Sequence, residues 1–249
     1  MIISIIPTKE DIEAIADLPH DPSIEEDDLF DYSSVVIDKP WGFEYSIYKN
    51  DMLDVWLLRL ESSQQTSLHC HPGKDTSLIA LSGRLSVSTL TSTHCISSGD
   101  TLRIARGAFH STLCLSNGGA LVLECETPAN KKNLVRYNDR YGRRGKRYES
   151  GHFVQPRNAA LHPCFYSSAM DDIHQFGDWR CKRVVLSDSQ AKDAILDSVS
   201  EGSALILQGS IYCGKSRDVN SPGSVVILNQ LKDGYSLAGS TCDLLLLYR

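Results

Sequence analysis

The sequence predicts an all-β protein of two tandem barrels, the second a degenerate copy of the first. Three observations lead there. From Val35 onward, short apolar runs separated by Gly and Ser turns recur at close, regular spacing, the pattern of a sandwich or barrel. Segments of the second half echo segments of the first. Histidines 69, 71 and 110 are spaced so that two neighbouring strands can aim them at one point.

Length and composition bound the rest. A chain of 249 residues makes one large domain or two small ones and buries cores without staples. A formal net charge of −6 argues against general nucleic-acid binding. The apolar run Met1 to Ile6 is too short to span a membrane or to act as a secretory core, so the expected location is the cytoplasm, with no membrane partner. None of the eight cysteines forms a CxxC pair, and they sit in strand-like segments, as small buried apolar residues of a reducing compartment do.

In chain order, residues 1–34 read as an acidic N-terminal extension. Thr8-Lys9-Glu10-Asp11 marks the start of a short helix with Ile12, Ile15 and Leu18 on its apolar face, and a solvated acidic stretch (Glu25, Glu26, Asp27, Asp28, Asp31) follows. Residues 35–127 form the first barrel, with strands expected at 55–60, 77–81, 84–88, 101–104 and 120–124. Residues 128–154 are a basic connector carrying Lys131, Lys132, Arg136, Arg140, Arg143, Arg144, Lys146 and Arg147. It is read as a solvated linker from which one or two residues meet an anionic substrate, while Tyr137 and Tyr141 pack the two units together.

Residues 155–249 form the second barrel. Residues 204–211 (ALILQGSI) echo 78–85 (LIALSGRL), 221–228 echo 97–104, and 244–247 echo 121–123; Trp179 and the strand after it stand where Trp56 stands. No histidine of this copy falls at the positions of the first.

His69 and His71, two residues apart on a strand, face the same way, while Cys70 between them points away. Neutral imidazole is the commonest metal ligand, so a divalent metal held with room for a substrate is the favoured reading. His94 is read as structural, and Trp41, Trp56 and Trp179 as core or rim packing rather than substrate platforms.

With these residues in view, the first unit resembles the cupin superfamily of double-stranded β-helix, or jelly-roll, barrels. Its first motif runs His69-Cys70-His71, four residues, Thr76, six residues, Gly83. Its second runs Gly99, five residues, Ala105, Gly107, His110, with Cys114 where Asn is usual. The flanks Lys39-Pro40-Trp41-Gly42 and 134–143 (LVRYNDRYGR), together with 67–71 (SLHCH), resemble the cupin domain of type II mannose-6-phosphate isomerases.

The resemblance implies a divalent metal (Zn, Mn, Fe or Ni), an anionic sugar derivative as small-molecule substrate, and a homodimer. It also implies a fourth ligand, Glu, at the position held by Thr76. Two donor sets stay open: three histidines plus water, which strand parity favours, and three histidines plus Asp75.

Aldose–ketose isomerisation needs a polarised carbonyl and a base. Glu44, Glu124 and Glu126 are candidates for the base by type, and Lys74, Arg106 and Arg143 for the phosphate. The expected function is therefore a metal-dependent isomerase or epimerase of a sugar phosphate or nucleotide sugar. The alternatives are a three-histidine iron oxygenase and a non-catalytic small-molecule-binding cupin.

Overall fold

The computed structural model describes residues 1–17, 30–130, 133–143, 153–166, 172–187, 199, 201–213 and 218–249. Leu18, His20, His152, the acidic residues 25–28 and Lys131, Lys132, Arg144, Lys146 and Arg147 lie outside these ranges.

The N-terminal part contains β1 (Ile2–Ile5), α1 (Lys9–Ala16), a short 3-10 turn (Tyr32–Ser34), β2 (Val35–Lys39), β3 (Gly42–Lys49), β4 (Asp54–Leu60), β5 (Leu68–Cys70) and β6 (Asp75–Ser82). It continues through β7 (Arg84–Ser88), β8 (Thr93–Ser97), β9 (Thr101–Ile104), β10 (Ser111–Cys114), β11 (Ala120–Thr127), β12 (Val135–Asn138) and β13 (Val154–Pro156). One sheet runs β1-β9-β6-β11-β4-β3-β2-β13. Facing it are β10-β7-β8 and β12-β5, joined by bridges between His69 and His110 and between Gln65 and Leu113. This is an all-β jelly roll.

Alternation along the strands sorts side chains into two cores. Trp56, Leu58, Leu78, Ala80 and Val122 face inward, against Leu85, Val87 and Ile96 of the opposing sheet. Tyr45, Ile47, Val55, Leu57, Ile79, Leu81 and Leu123 face outward.

The outward face is covered by the C-terminal part, made of β14 (Ile173–Phe176), β15 (Trp179–Ser187), β16 (Gly202–Gln208), β17 (Ile211–Cys213), β18 (Val219–Asn220), β19 (Val225–Ile227), α2 (Leu228–Lys232), β20 (Tyr235–Leu237) and β21 (Thr241–Tyr248). Its sheets run β14-β15-β21-β16-β19 and β18-β17-β20. The order β15-β21-β16-β19 repeats β4-β11-β6-β9, and β18-β17-β20 repeats β8-β7-β10, in line with the echoed segments. Leu205, Leu207, Leu245 and Leu247 pack on the first sheet, whereas Ala204, Ile206, Leu244 and Leu246 enclose a core of their own. The two tryptophans are not equivalent: Trp56 points into the first core, while Trp179 lies between the sheets with its Nε1 donating to Ser98 Oγ at 2.9 Å.

Residues at both ends of the first unit differ from expectation. β1, at the start of the N-terminal extension, pairs in parallel with β9 and so joins the barrel sheet. α1 is capped by Thr8 with Asp11 closing the box, but Ile12 is exposed and Asp11 is the buried residue. The carboxylate accepts from Thr8 N at 2.7 Å and from Phe109 N at 3.0 Å, which ties the helix to the residue before His110. Asp11→Ala leaves a buried N–H unsatisfied and removes half the cap, so about 2 kcal/mol of stability is lost in a urea titration. An unchanged midpoint would show the docking to be dispensable.

The connector also forms barrel wall, because β12 pairs with β5 and β13 with β2. Tyr137 and Tyr141 pack on the first barrel rather than between units. The Tyr137 ring sits 5.4 Å from Phe109, and Tyr141 Oη donates to Gln64 Oε1 at 2.8 Å.

All eight cysteines are free thiols, six of them buried. Among the described residues no helix is long and apolar enough to cross a membrane.

Candidate metal centre

Strand β5 is three residues long and places His69 inward. His71 follows at its end, facing the same way, and Cys70 is buried behind. His110 is bridged to His69 by two main-chain hydrogen bonds, His69 N to His110 O at 3.0 Å and His110 N to His69 O at 2.8 Å. One ring nitrogen from each of the three histidines lies within 4.8 Å of the others.

Each Nδ1 meets a main-chain carbonyl: His69 with Ser67 O at 2.8 Å, His71 with Asn133 O at 2.6 Å, and His110 with Ala108 O at 3.1 Å. A carbonyl only accepts, so each Nδ1 carries a proton, and in the neutral ring the Nε2 keeps its lone pair. His110 Nε2 is buried with no hydrogen-bond partner among the described residues. Three oriented lone pairs converging on one buried point fit a divalent ion.

That geometry, on this strand order, decides the fold type. The N-terminal barrel is a jelly roll with three histidines converging inside it.

Similarity to solved structures is partial. KdgF from a Halomonas species is 17% identical over 38% of this chain and 86% of its own, with a TM-score of 0.36. A cupin-superfamily sugar phosphate isomerase from Silicibacter pomeroyi is 17% identical over 39% and 66%, at 0.36. An oxalate oxidase bound to the substrate analogue glycolate is 17% identical over 34% and 46%, at 0.32. No protein-family model matches the chain, and no curated protein is similar to it.

The pocket beside the histidines is lined by His69 and His71 together with Glu44, Glu124, Glu126, Lys39, Trp41, Arg136 and Arg143. Its free volume is about 50 Å³, room for a few water-sized groups. A ligand would put its reacting end here and the remainder outside. The hairpin Lys39-Pro40-Trp41-Gly42 supplies one wall: Lys39 pairs with Gly42 across a two-residue loop, and Trp41 is buried. Arg136 is the register partner of His69 on β12. Nothing in the connector's charge pattern singled this arginine out, but the alternation Val135-Arg136-Tyr137-Asn138 was the available signal.

Other candidates sit elsewhere. Asp75 does not join the histidines. It is exposed on the outer side of β6 and ion-paired with Arg106 at 2.8 Å, because adjacent strand residues face opposite ways. Partial burial would raise its carboxyl, but the bonds from Arg106 outweigh that and hold it below the usual carboxylate range. Arg106 is thereby kept outside the pocket. Lys74 is fully buried and paired with Glu126 at 2.8 Å, so it is committed to a protein carboxylate rather than offered to a substrate. Arg143 lines the pocket, held by Asp139 at 2.8 Å. Glu44 pairs with Lys39 at 3.6 Å. Glu124 and Glu126 each lie close to His71.

Burial holds His69 well below the ordinary imidazole value of 6.5, with His110 and His71 adding to the effect, and burial lowers His110 as well. Both are therefore neutral in the native state at pH values where the unfolded chain takes up protons. The metal-free protein loses stability as pH falls below about 6.5, by up to about 1.4 kcal/mol per pH unit for each group. Urea midpoints in chelator at pH 7.5 and 5.5 check this; a midpoint that rises on acidification contradicts it.

Proposed function

We propose that the protein is a metal-dependent cupin acting on a sugar phosphate or a related anionic sugar, by proton transfer of the isomerase or epimerase type. The observation that carries the reading is the cluster of His69, His71 and His110, two of which, His69 and His71, line a pocket together with Glu124, which lies close to His71, and with Lys39, Arg136 and Arg143. A divalent metal held by the three histidines supplies a Lewis acid for a carbonyl oxygen. Arg136 and Arg143 bind the anionic group by charge-assisted hydrogen bonds. Glu124 takes the proton from the carbon next to the carbonyl and returns it to the neighbouring one. Trp41 excludes water from that side. The C-terminal unit is read as a second, degenerate barrel that supports the first, and the protein as a homodimer.

The test begins with elemental analysis of protein purified without a nickel column, with His69→Ala as control. A panel of sugar phosphates is then incubated with the holoprotein in D₂O, and exchange of carbon-bound hydrogen is followed by NMR. Exchange is expected with one of them, and Glu124→Gln is expected to slow it by roughly 10²–10⁴-fold while retaining metal. Bound iron with oxygen uptake and no exchange would replace this reading by the oxygenase. Binding without exchange would replace it by a non-catalytic cupin.

A further inference from the structure

The three histidines are not oriented by the same kind of partner. His69 and His110 each turn Nδ1 to a carbonyl two residues earlier in their own segment, Ser67 O at 2.8 Å and Ala108 O at 3.1 Å. Those acceptors travel with the histidines they hold. His71 instead turns its Nδ1 to Asn133 O, sixty-two residues away, at 2.6 Å. It also stands just past the end of β5, beyond the last registered pair, Cys70 with Val135.

Asn133 holds the same turn a second time. Its side-chain Oδ1 accepts from Gly73 N at 2.8 Å, and a Cβ on Gly73 would come within 3.1 Å of its Nδ2. The chain that follows reaches the pocket, where Leu134, Arg136 and Arg143 form part of the lining. Arg143 is anchored by Asp139 at 2.8 Å, and Tyr141 by Gln64 at 2.8 Å. Between these ends β12 pairs with β5 in a two-stranded ladder whose register shifts after Arg136. Two strands by themselves are marginally stable in water, so this strap opens more easily than the main sheet.

One segment therefore carries both the acceptor that aims a metal ligand and the arginines that face an anion. Resting on the metal centre and the anionic substrate proposed above, we infer that Asn133 is the positioning residue for His71 and that the strap 133–143 couples anion binding to metal binding. With the strap docked, His71 presents Nε2 to the ion while Arg136 and Arg143 face the anion. With it released, both sites lose a partner at once. Each ligand favours the docked strap, so each tightens the other by the same factor.

Cobalt(II) affinity, measured by chelator competition with and without sulfate at constant ionic strength, tests this without reference to turnover. Sulfate stands in for the tetrahedral dianion of a phosphate ester. In the wild type, sulfate is expected to tighten cobalt binding about tenfold, and cobalt to tighten sulfate binding equally. Asn133→Ala, its fold verified by circular dichroism, is expected to bind cobalt about tenfold more weakly and to lose the sulfate effect. Asn133→Asp keeps a side-chain acceptor for Gly73 N and is expected to retain that effect. Coupling of wild-type size in folded Asn133→Ala would show that the anion sits on the metal itself and overturn the strap's role. Absence of coupling in the wild type would overturn it too, however the variants fold, while leaving the three-histidine centre standing. A wild type that binds no cobalt would overturn the centre itself.

Discussion

His110→Ala abolishes stoichiometric metal binding and leaves the fold in place. The imidazole supplies a buried Nε2 with no hydrogen-bond partner among the described residues, and two histidines alone hold a divalent ion at least a hundredfold more weakly. The strand pairing that brings β10 to β5 survives, because both hydrogen bonds between His69 and His110 are main-chain bonds that alanine retains. The Ala108 carbonyl loses its donor, which costs about 1 kcal/mol. Metal per chain should therefore drop to background by elemental analysis, while the urea midpoint of the chelator-treated protein moves little. Full metal occupancy in this variant would refute the site; loss of fold would show that the histidine is chiefly packing.

Gly42→Ala has the largest effect expected on stability. Gly42 has φ +142°, and a Cβ built on it would lie 1.9 Å from the Arg59 carbonyl oxygen on β4. The clash is with main chain of a central strand, so no side chain can swing aside. Either the hairpin after Lys39 opens or β3 separates from β4, and both lie in the largest sheet. A loss of about 4 kcal/mol or more is expected, placing the variant in the rare tail of point substitutions. Because the same hairpin carries Lys39 and Trp41 to the pocket, ligand affinity should fall with it. A denaturation midpoint within experimental error of wild type would show that the sheet yields there at no cost.

The convergence of the three histidines is legible in the sequence because it follows from strand parity and two short spacings. The jelly-roll class is legible for the same kind of reason: apolar runs of strand length, punctuated by turns, recur in both halves. Register between distant strands is not. The pairing of Glu126 with Thr76 spans fifty residues and is set by where β11 locks onto β6, including a register shift after Leu121. Arg136 looks like one charge among many until β12 pairs with β5 and turns it toward His69. Asp11 looks like an ordinary helix-start residue, because its second task, holding Phe109 N, depends on where the helix docks.

The outward face of the first sheet bears on how a single barrel of this kind could live alone. Tyr45, Ile47, Val55, Leu57, Ile79, Leu81 and Leu123 form a continuous apolar surface that the C-terminal sheet covers. A surface of that kind on an isolated barrel would seek a second copy or precipitate. In this chain the tethered C-terminal sheet does in cis what a subunit would do in trans, at an effective concentration no dilution can lower. That face is therefore closed to a second copy of the protein, which would have to dock elsewhere.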